Sequence, residues 1–335
     1  MLPGKPHHLI SRRFVLSALL LLMACGTSSV YLTVTRPAEI NLKGFSKIAI
    51  GDILNEEGQA GAHASNIADG ITAALFASGA YEVLDRNNLA ALLSEHALGE
   101  AGLIDESTAA QIGQFIGSAA LIFGRIQTDN YKEELTKDKA YTDKEGKSHQ
   151  THVRRGVYRL SVNMKVIDVQ TARILAIKNI PAVRRATKRA DKKDPAMIDT
   201  ESLLAGCIAD ITRQFIRMIA PFEEQVRAAF LTDKLLPETD RAVGLFRVGE
   251  WDDGIAILEQ ATKKSGLPSE IQAKTYYNLG LAKIYVGEFD AAVEQLKTAL
   301  SLDPTSRRIQ QTILRAKEEK ANAEKLREQM GKSEA

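Results

Sequence analysis

The chain has 335 residues, 44% hydrophobic and 26% charged, a globular balance long enough for two ordinary domains and unlike that of a disordered chain. A net charge of +2 and an aromatic content of 6% supply neither the basic field nor the stacking surface of a nucleic-acid binder. Of the two cysteines, Cys25 and Cys207, only Cys207 stays a thiol if Cys25 is acylated, so an intramolecular disulfide is not expected.

The first residues read as an export signal. Lys5, Arg12 and Arg13 give a positive start, and an apolar run from Phe14 to Ala24 follows. That run is short of the ~20 apolar residues that span a bilayer. It ends Leu22-Met23-Ala24-Cys25, which resembles the lipobox of bacterial lipoproteins. The resemblance implies a signal peptide over 1–24, lipid attachment at Cys25, and a lipidated tether over 25–44. Several acyl chains anchor stably where one does not. Gly26 stands where Asp marks retention in the inner membrane of Gram-negative systems, which points to the outer membrane. Ser11-Arg12-Arg13-Phe14-Val15-Leu16 resembles a twin-arginine signal, with Val15 where that motif prefers Phe, so the export route stays open.

Residues 45–222 predict an α/β (α+β) sandwich. A buried strand over 46–53 is followed by a loop from Leu54 to Ala64 and a helix carrying Ile67, Ile71, Ala74 and Leu75, stopped by Ser78-Gly79. A strand over 81–85, a helix capped by Asn87 or Asn88, a helix over 107–116 and a strand over 119–127 come next. Tyr158, Leu160, Val162, Met164 and Val166 alternate with polar residues, the pattern of a half-buried strand. Asp168 to Ala172 makes a turn, and Arg173 to Lys178 returns as a strand. A helix from about Asp199 to Ala220 shows a stripe of Leu204, Ile208, Ile211, Phe215 and Ile219, with Cys207 beside it as an inert buried thiol.

The segments KIAIGDI (47–53), GAYEVLDRNNLAALLSEH (79–96), IGQFIGSAALIFGRI (112–126) and RLSVNMKVIDVQTARIL (159–175) resemble the curli-secretion channel family, CsgG-like or CsgG/HfaB. Glu82, Arg86, Leu89, Glu95 and the Asp168–Thr171 turn carry the resemblance. It implies an outer-membrane lipoprotein, with ring assembly and two membrane hairpins per subunit in the channel-forming members. Such strands need roughly 9–11 alternating residues. Asp129 to Gly156 is charged on both alternating faces, and each basic side chain on lipid costs ~2–4 kcal/mol. The run with Arg184, Arg185, Lys188, Arg189, Asp191, Lys192 and Lys193 reads as a solvated loop, too short and charged to cross and return. The loop from Asn55 to His63 lacks the aromatic residues of the family's constriction. The chain therefore looks like non-channel relatives of this fold, one group of which activates penicillin-binding proteins.

After a linker near Pro237, residues 273–304 resemble a tetratricopeptide repeat, with Gly280, Ala292 and Ala299 at close helix crossings. Gly249, Trp251, Gly254, Ile255, Leu258 and Ala261 form a weaker copy 38 residues earlier, against a norm of ~34. Repeats over 233–326 with a capping helix at 306–326, and a disordered tail over 327–335, complete an all-α tetratricopeptide-repeat domain. The resemblance places Tyr277, Leu281, Ile284 and Tyr285 in a concave groove for a peptide or partner helix. The same positions also read as core against the preceding repeat.

No catalytic motif is present: there is no G-x-S-x-G, Walker loop or G-x-G-x-x-G. His149, His152 and Asp143 lack a third strong metal ligand, and Asp85-Arg86 reads as a structural ion pair. The sequence thus predicts no enzyme, no metal, no cofactor and no nucleic-acid partner. It predicts an envelope adaptor or assembly factor that faces the periplasm and binds other proteins, with self-association left open. The alternative is a secretion-channel subunit.

Overall fold

The computed structural model describes residues 26–84, 119–171 and 173–330. The chain separates into two compact units, Leu32–Val226 with the residues from Arg315 onward, and Arg227–Leu314 with the residues up to Tyr31. We call them the sheet unit and the helical unit. Cys25, Asp85, Arg86, Asn87, Asn88, the expected helices between 87 and 116, and Ala172 lie outside the described residues.

The sheet unit is built on five strands in the order β3-β2-β4-β7-β8. β2 (Lys47–Leu54) runs parallel to β3 (Glu82–Leu84) and to β4 (Ala119–Lys137). β7 (Thr151–Asp168) then pairs antiparallel with β4 and with β8 (Ile174–Asp191). β5 (Tyr141–Thr142) and β6 (Ser148–His149) form a small ribbon between β4 and β7. The expected alternation holds: Tyr158, Leu160, Val162, Met164 and Val166 are buried. They face α1 (Ala62–Ser78) and α2 (Thr200–Ile219) in one apolar core. Gly79 ends α1 at φ 62°, a conformation that favours glycine. Asp199 caps α2 by accepting from the Ser202 amide at 3.1 Å. The Asp168 turn forms as expected, with the Thr171 hydroxyl donating to the Asp168 carboxylate at 2.6 Å.

Three expectations need correction. The run from Arg184 to Asp191 is strand, paired with β7 as far as Thr151. Ile180, Ala182, Ala186 and Ala190 recur at every second or fourth position and lie at least partly buried. That period-2 stripe is what allows the charged residues between them to sit in a strand. The α2 stripe is Leu203, Cys207, Ile211 and Phe215, closed by Met218 and Ile219, so Cys207 lies in the stripe and Leu204 and Ile208 flank it. Gly26–Arg36, expected only as tether, carries β1, which pairs with β9 (Phe222–Thr232). Val30 is its buried residue.

The helical unit contains α3 (Pro237–Arg247), α4 (Trp251–Thr262), α5 (Ser269–Tyr285) and α6 (Phe289–Leu302). Pro237 occupies the first turn of α3, where its missing N–H costs nothing. α7 runs Arg307–Gln329, longer than the expected cap and reaching into the expected tail. Ile309, near its start, is buried in the helical unit. From Arg315 onward it belongs to the sheet unit, where Arg36 bonds both Glu224 and Glu319, and the Gln329 amide brackets Ala38. Burial of Arg36 works against its charge, but the two carboxylates outweigh it and raise its pKa.

Candidate functional site

The helical unit repeats its backbone at an offset of 38 residues, Gly249 to Gly287. Both glycines have positive φ, 91° and 83°, at the turns between paired helices. Val248 and Val286 before them share φ near −100°, and Glu250 and Glu288 after them share φ −82°. Gly254 lies under the Phe246 ring, and a Cβ there would come within 2.2 Å of it. One at Gly280 would come within 2.7 Å of Leu296 Cγ and 3.0 Å of the Ala292 carbonyl oxygen. Close helix approach, expected at Gly280, is therefore present there, and Gly254 in the weaker copy shows a close approach as well.

Of the residues read either as groove lining or as core, three are enclosed. Tyr277, Leu281 and Ile284 are 4%, 2% and 3% exposed. α5 is buried on nearly all sides, as a helix enclosed by its neighbours must be. One side of α5 is covered by the chain itself. The Tyr277 hydroxyl donates to the Ala229 carbonyl at 3.5 Å. The Asn278 amide donates to the Leu231 carbonyl and accepts from the Leu231 N–H, each at 2.8 Å. Asn278 also reaches the Thr239 hydroxyl at 3.1 Å, and Lys274 pairs with Asp233 at 2.8 Å. Strand β9 thus supplies an extended segment to the surface that sequence reasoning offered to a peptide. Asn278 was missed, although a wholly buried Asn must be bonded and its place on an apolar helix was the signal.

Tyr285 is the expected groove residue that keeps partial exposure. Its ring sits 5.9 Å from Trp251, which stacks on Phe246 at 4.5 Å, with Phe230 beyond at 5.1 Å. Offset aromatic contacts of this kind add to area burial. They tie β9, α3, α4 and α5 together.

In the sheet unit, Asp129 closes a polar cluster. One of its oxygens accepts from the Tyr158 hydroxyl at 2.6 Å, the other lies 2.6 Å from His63 Nδ1, and its backbone N–H donates to Glu56 at 2.6 Å. The cluster borders a cavity of about 460 Å³ lined also by Asn55 and Glu57. Burial, and then the Asp129 carboxylate, push the Tyr158 hydroxyl well above the ordinary range. Burial and Glu133 raise Tyr131 to about 12. The cluster pins the loop after β2 and the start of α1 to the sheet. His149 bridges Asp143 at 2.8 Å and Asp191 at 3.1 Å, while His152 turns to Asp194 at 2.8 Å. The two histidines therefore do not converge, and among the described residues no group of three His, Cys, Asp or Glu side chains could hold a metal. No helix of the described residues is long and apolar enough to cross a membrane.

No curated protein matches the chain in sequence. Among solved structures, the lipoprotein GNA1162 from Neisseria meningitidis aligns over 51% of this chain and 97% of its own, at 13% identity and a TM-score of 0.28. The PelC dodecamer from Paraburkholderia phytofirmans aligns over 55% and 94%, at 14% identity and a TM-score of 0.26. The LpoB C-terminal domain from Salmonella enterica aligns over 41% and 82%, at 14% identity and a TM-score of 0.26. The family model described as "Curli production assembly/transport component CsgG" matches residues 29–191, just under half of the chain and the stretch that includes β2, β4, β7 and β8, so the chain carries a CsgG-family domain there.

Proposed function

We propose that this chain is a lipid-anchored protein of the bacterial cell envelope that holds other proteins together, an adaptor or assembly factor facing the periplasm, and that it catalyses no reaction. The observation that carries the reading is the union, in one chain, of the CsgG-family match at 29–191 with helical hairpins whose backbone repeats at 38 residues. The paired positive-φ glycines and the close crossings at Gly254 and Gly280 support reading those hairpins as tetratricopeptide repeats. The Leu22–Cys25 string supports lipid attachment at Cys25 and, with Gly26, an outer-membrane address. With Tyr277, Leu281 and Ile284 enclosed, partner contact falls to outer helix faces and to Tyr285. Cross-linking the lipidated chain in intact envelopes, followed by mass spectrometry, should return the same envelope protein in every replicate. Recovery of no reproducible partner would overturn the reading.

One observation favours the channel alternative. β4, β7 and β8 are 19, 18 and 18 residues long, far beyond the reach of the core and long enough to cross a bilayer. Their charge on both faces opposes insertion. In planar bilayers, with the detergent-solubilised mass measured alongside, the adaptor is a small and silent species. A large ring with stepwise conductance restores the channel.

A further inference from the structure

The three long strands carry two different charge arrangements. Cross-strand partners share a face, so the register assigns every side chain to one side or the other. On the side that sends Tyr158, Leu160 and Val162 into the core, three of the cations are answered by carboxylates, while Lys188 donates to the Met197 carbonyl. Arg154 pairs with Glu133, Arg184 with Asp210 and Lys178 with Glu39. The opposite side reads in rows across β4, β7 and β8: Glu134–Arg155–Thr187, Lys132–Val157–Arg185, Asn130–Arg159–Val183 and Phe123–Lys165–Ile177. Arg189 adds a further cation beyond them, opposite Val153. Glu134 is the one carboxylate in the four rows, Asp191 follows Arg189 on the same side and is held by His149, and none of the basic side chains forms an ion pair among the described residues.

Like charges crowded on neighbouring strands repel, so this face costs the isolated fold something that an anionic surface would return. The aliphatic side chains decide which surface. Ile177 and Val183 are 56% and 40% exposed and stand in the same rows as Lys165 and Arg159. A purely acidic peptide such as polyglutamate would answer the cations and leave the aliphatics in water. A phospholipid surface offers phosphates and an acyl boundary at once. Arg155, Arg159, Arg185 and Val183 are all exposed on this face, which suits an extended partner.

We propose that this face docks the sheet unit on anionic phospholipid headgroups, with Arg155, Arg159, Arg185 and Lys132 on phosphates and Ile177 and Val183 at the acyl boundary. This is peripheral contact, carried by one face of the strands, and is separate from the capture of a protein partner.

The test uses the full chain and two sets of vesicles, phosphatidylcholine alone and phosphatidylcholine mixed with phosphatidylglycerol. The same N-terminal anchor enters both, so the ratio of partitioning isolates the headgroup contribution. The ratio should favour phosphatidylglycerol and fall as salt is added. The exposed pair Arg159→Glu/Arg185→Glu should lower it roughly tenfold or more. Lys263→Glu/Lys297→Glu, an equal charge change in the helical unit, should leave it unchanged, and thermal unfolding should show both variants folded. No preference for phosphatidylglycerol, or equal loss in both variants, overturns the proposal. So does a face variant that keeps the vesicle preference but loses binding to polyglutamate, which assigns the face to an acidic protein.

Discussion

Asn278 treats Leu231 as a neighbouring strand would: its side-chain amide donates to the Leu231 carbonyl and accepts from the Leu231 N–H, both at 2.8 Å. Replacing Asn278 with Leu fills the volume but orphans both backbone groups. Each buried orphan costs about 1–3 kcal/mol. Denaturant unfolding of Asn278→Leu should show a loss of at least about 2 kcal/mol. Hydrogen exchange at the Leu231 amide should accelerate beyond the global change. An unaltered exchange rate would mean that the amide pair contributes nothing to holding β9.

Two helical glycines should respond in opposite senses. Gly280 faces Leu296 and the Ala292 backbone, which cannot move aside, so Gly280→Val should destabilise by about 1–3 kcal/mol through overpacking. Gly244, in α3, is exposed with nothing within 4 Å of a built Cβ. Gly244→Ala should stabilise by about 0.5–1 kcal/mol, by limiting the unfolded chain and raising helix propensity. Thermal melts of the two variants against wild type check both signs.

The hydrogen bond from Lys274 holds the Asp233 carboxyl below its usual range, against the opposing effect of burial. A carboxyl depressed in the folded state contributes stability that is present above its unfolded pKa of about 3.9 and lost as pH falls through the folded value. Lys274→Met keeps the aliphatic stem and removes the partner. The stability difference between wild type and variant should be constant near neutrality and shrink below about pH 4. A difference that grows on acidification would mean that the pair does not set this titration.

Thiol chemistry tests the lipid directly. Cys207 is wholly enclosed, with burial raising its pKa, so it should react with a thiol reagent only as fast as the protein unfolds. If Cys25 is acylated, the protein extracted from membranes should titrate one thiol in denaturant. Two thiols would remove the lipid attachment.

The sheet core was legible because Tyr158 to Val166 states its period without interruption. β8 was legible over its first turn-proximal residues and hidden beyond Arg184 for the opposite reason: Ala182, Ala186 and Ala190 keep a strand's period, but the arginines and lysines between them dominate by count. Val30, Leu32 and Val34 alternate in the same way and were passed over because they follow the cysteine so closely. The α2 stripe shifted because Leu203 and Leu204 are equivalent by hydropathy, and only packing chooses between them. The groove assignment for Tyr277, Leu281 and Ile284 was beyond local pattern. What covers them is set by contacts such as that between Asn278 and Leu231, 47 residues apart in the chain.

Strand β1 begins at Gly26, the residue after the expected acylated cysteine. A slack tether as far as residue 44 could reach roughly 60 Å from the bilayer, at up to 3.3–3.6 Å per residue. A chain already committed to β-pairing at Gly26 has almost no leash. If Cys25 is acylated, such a chain cannot wander far from its lipid. Its folded body would ride against the headgroups, and a partner would have to come to the membrane surface to be met.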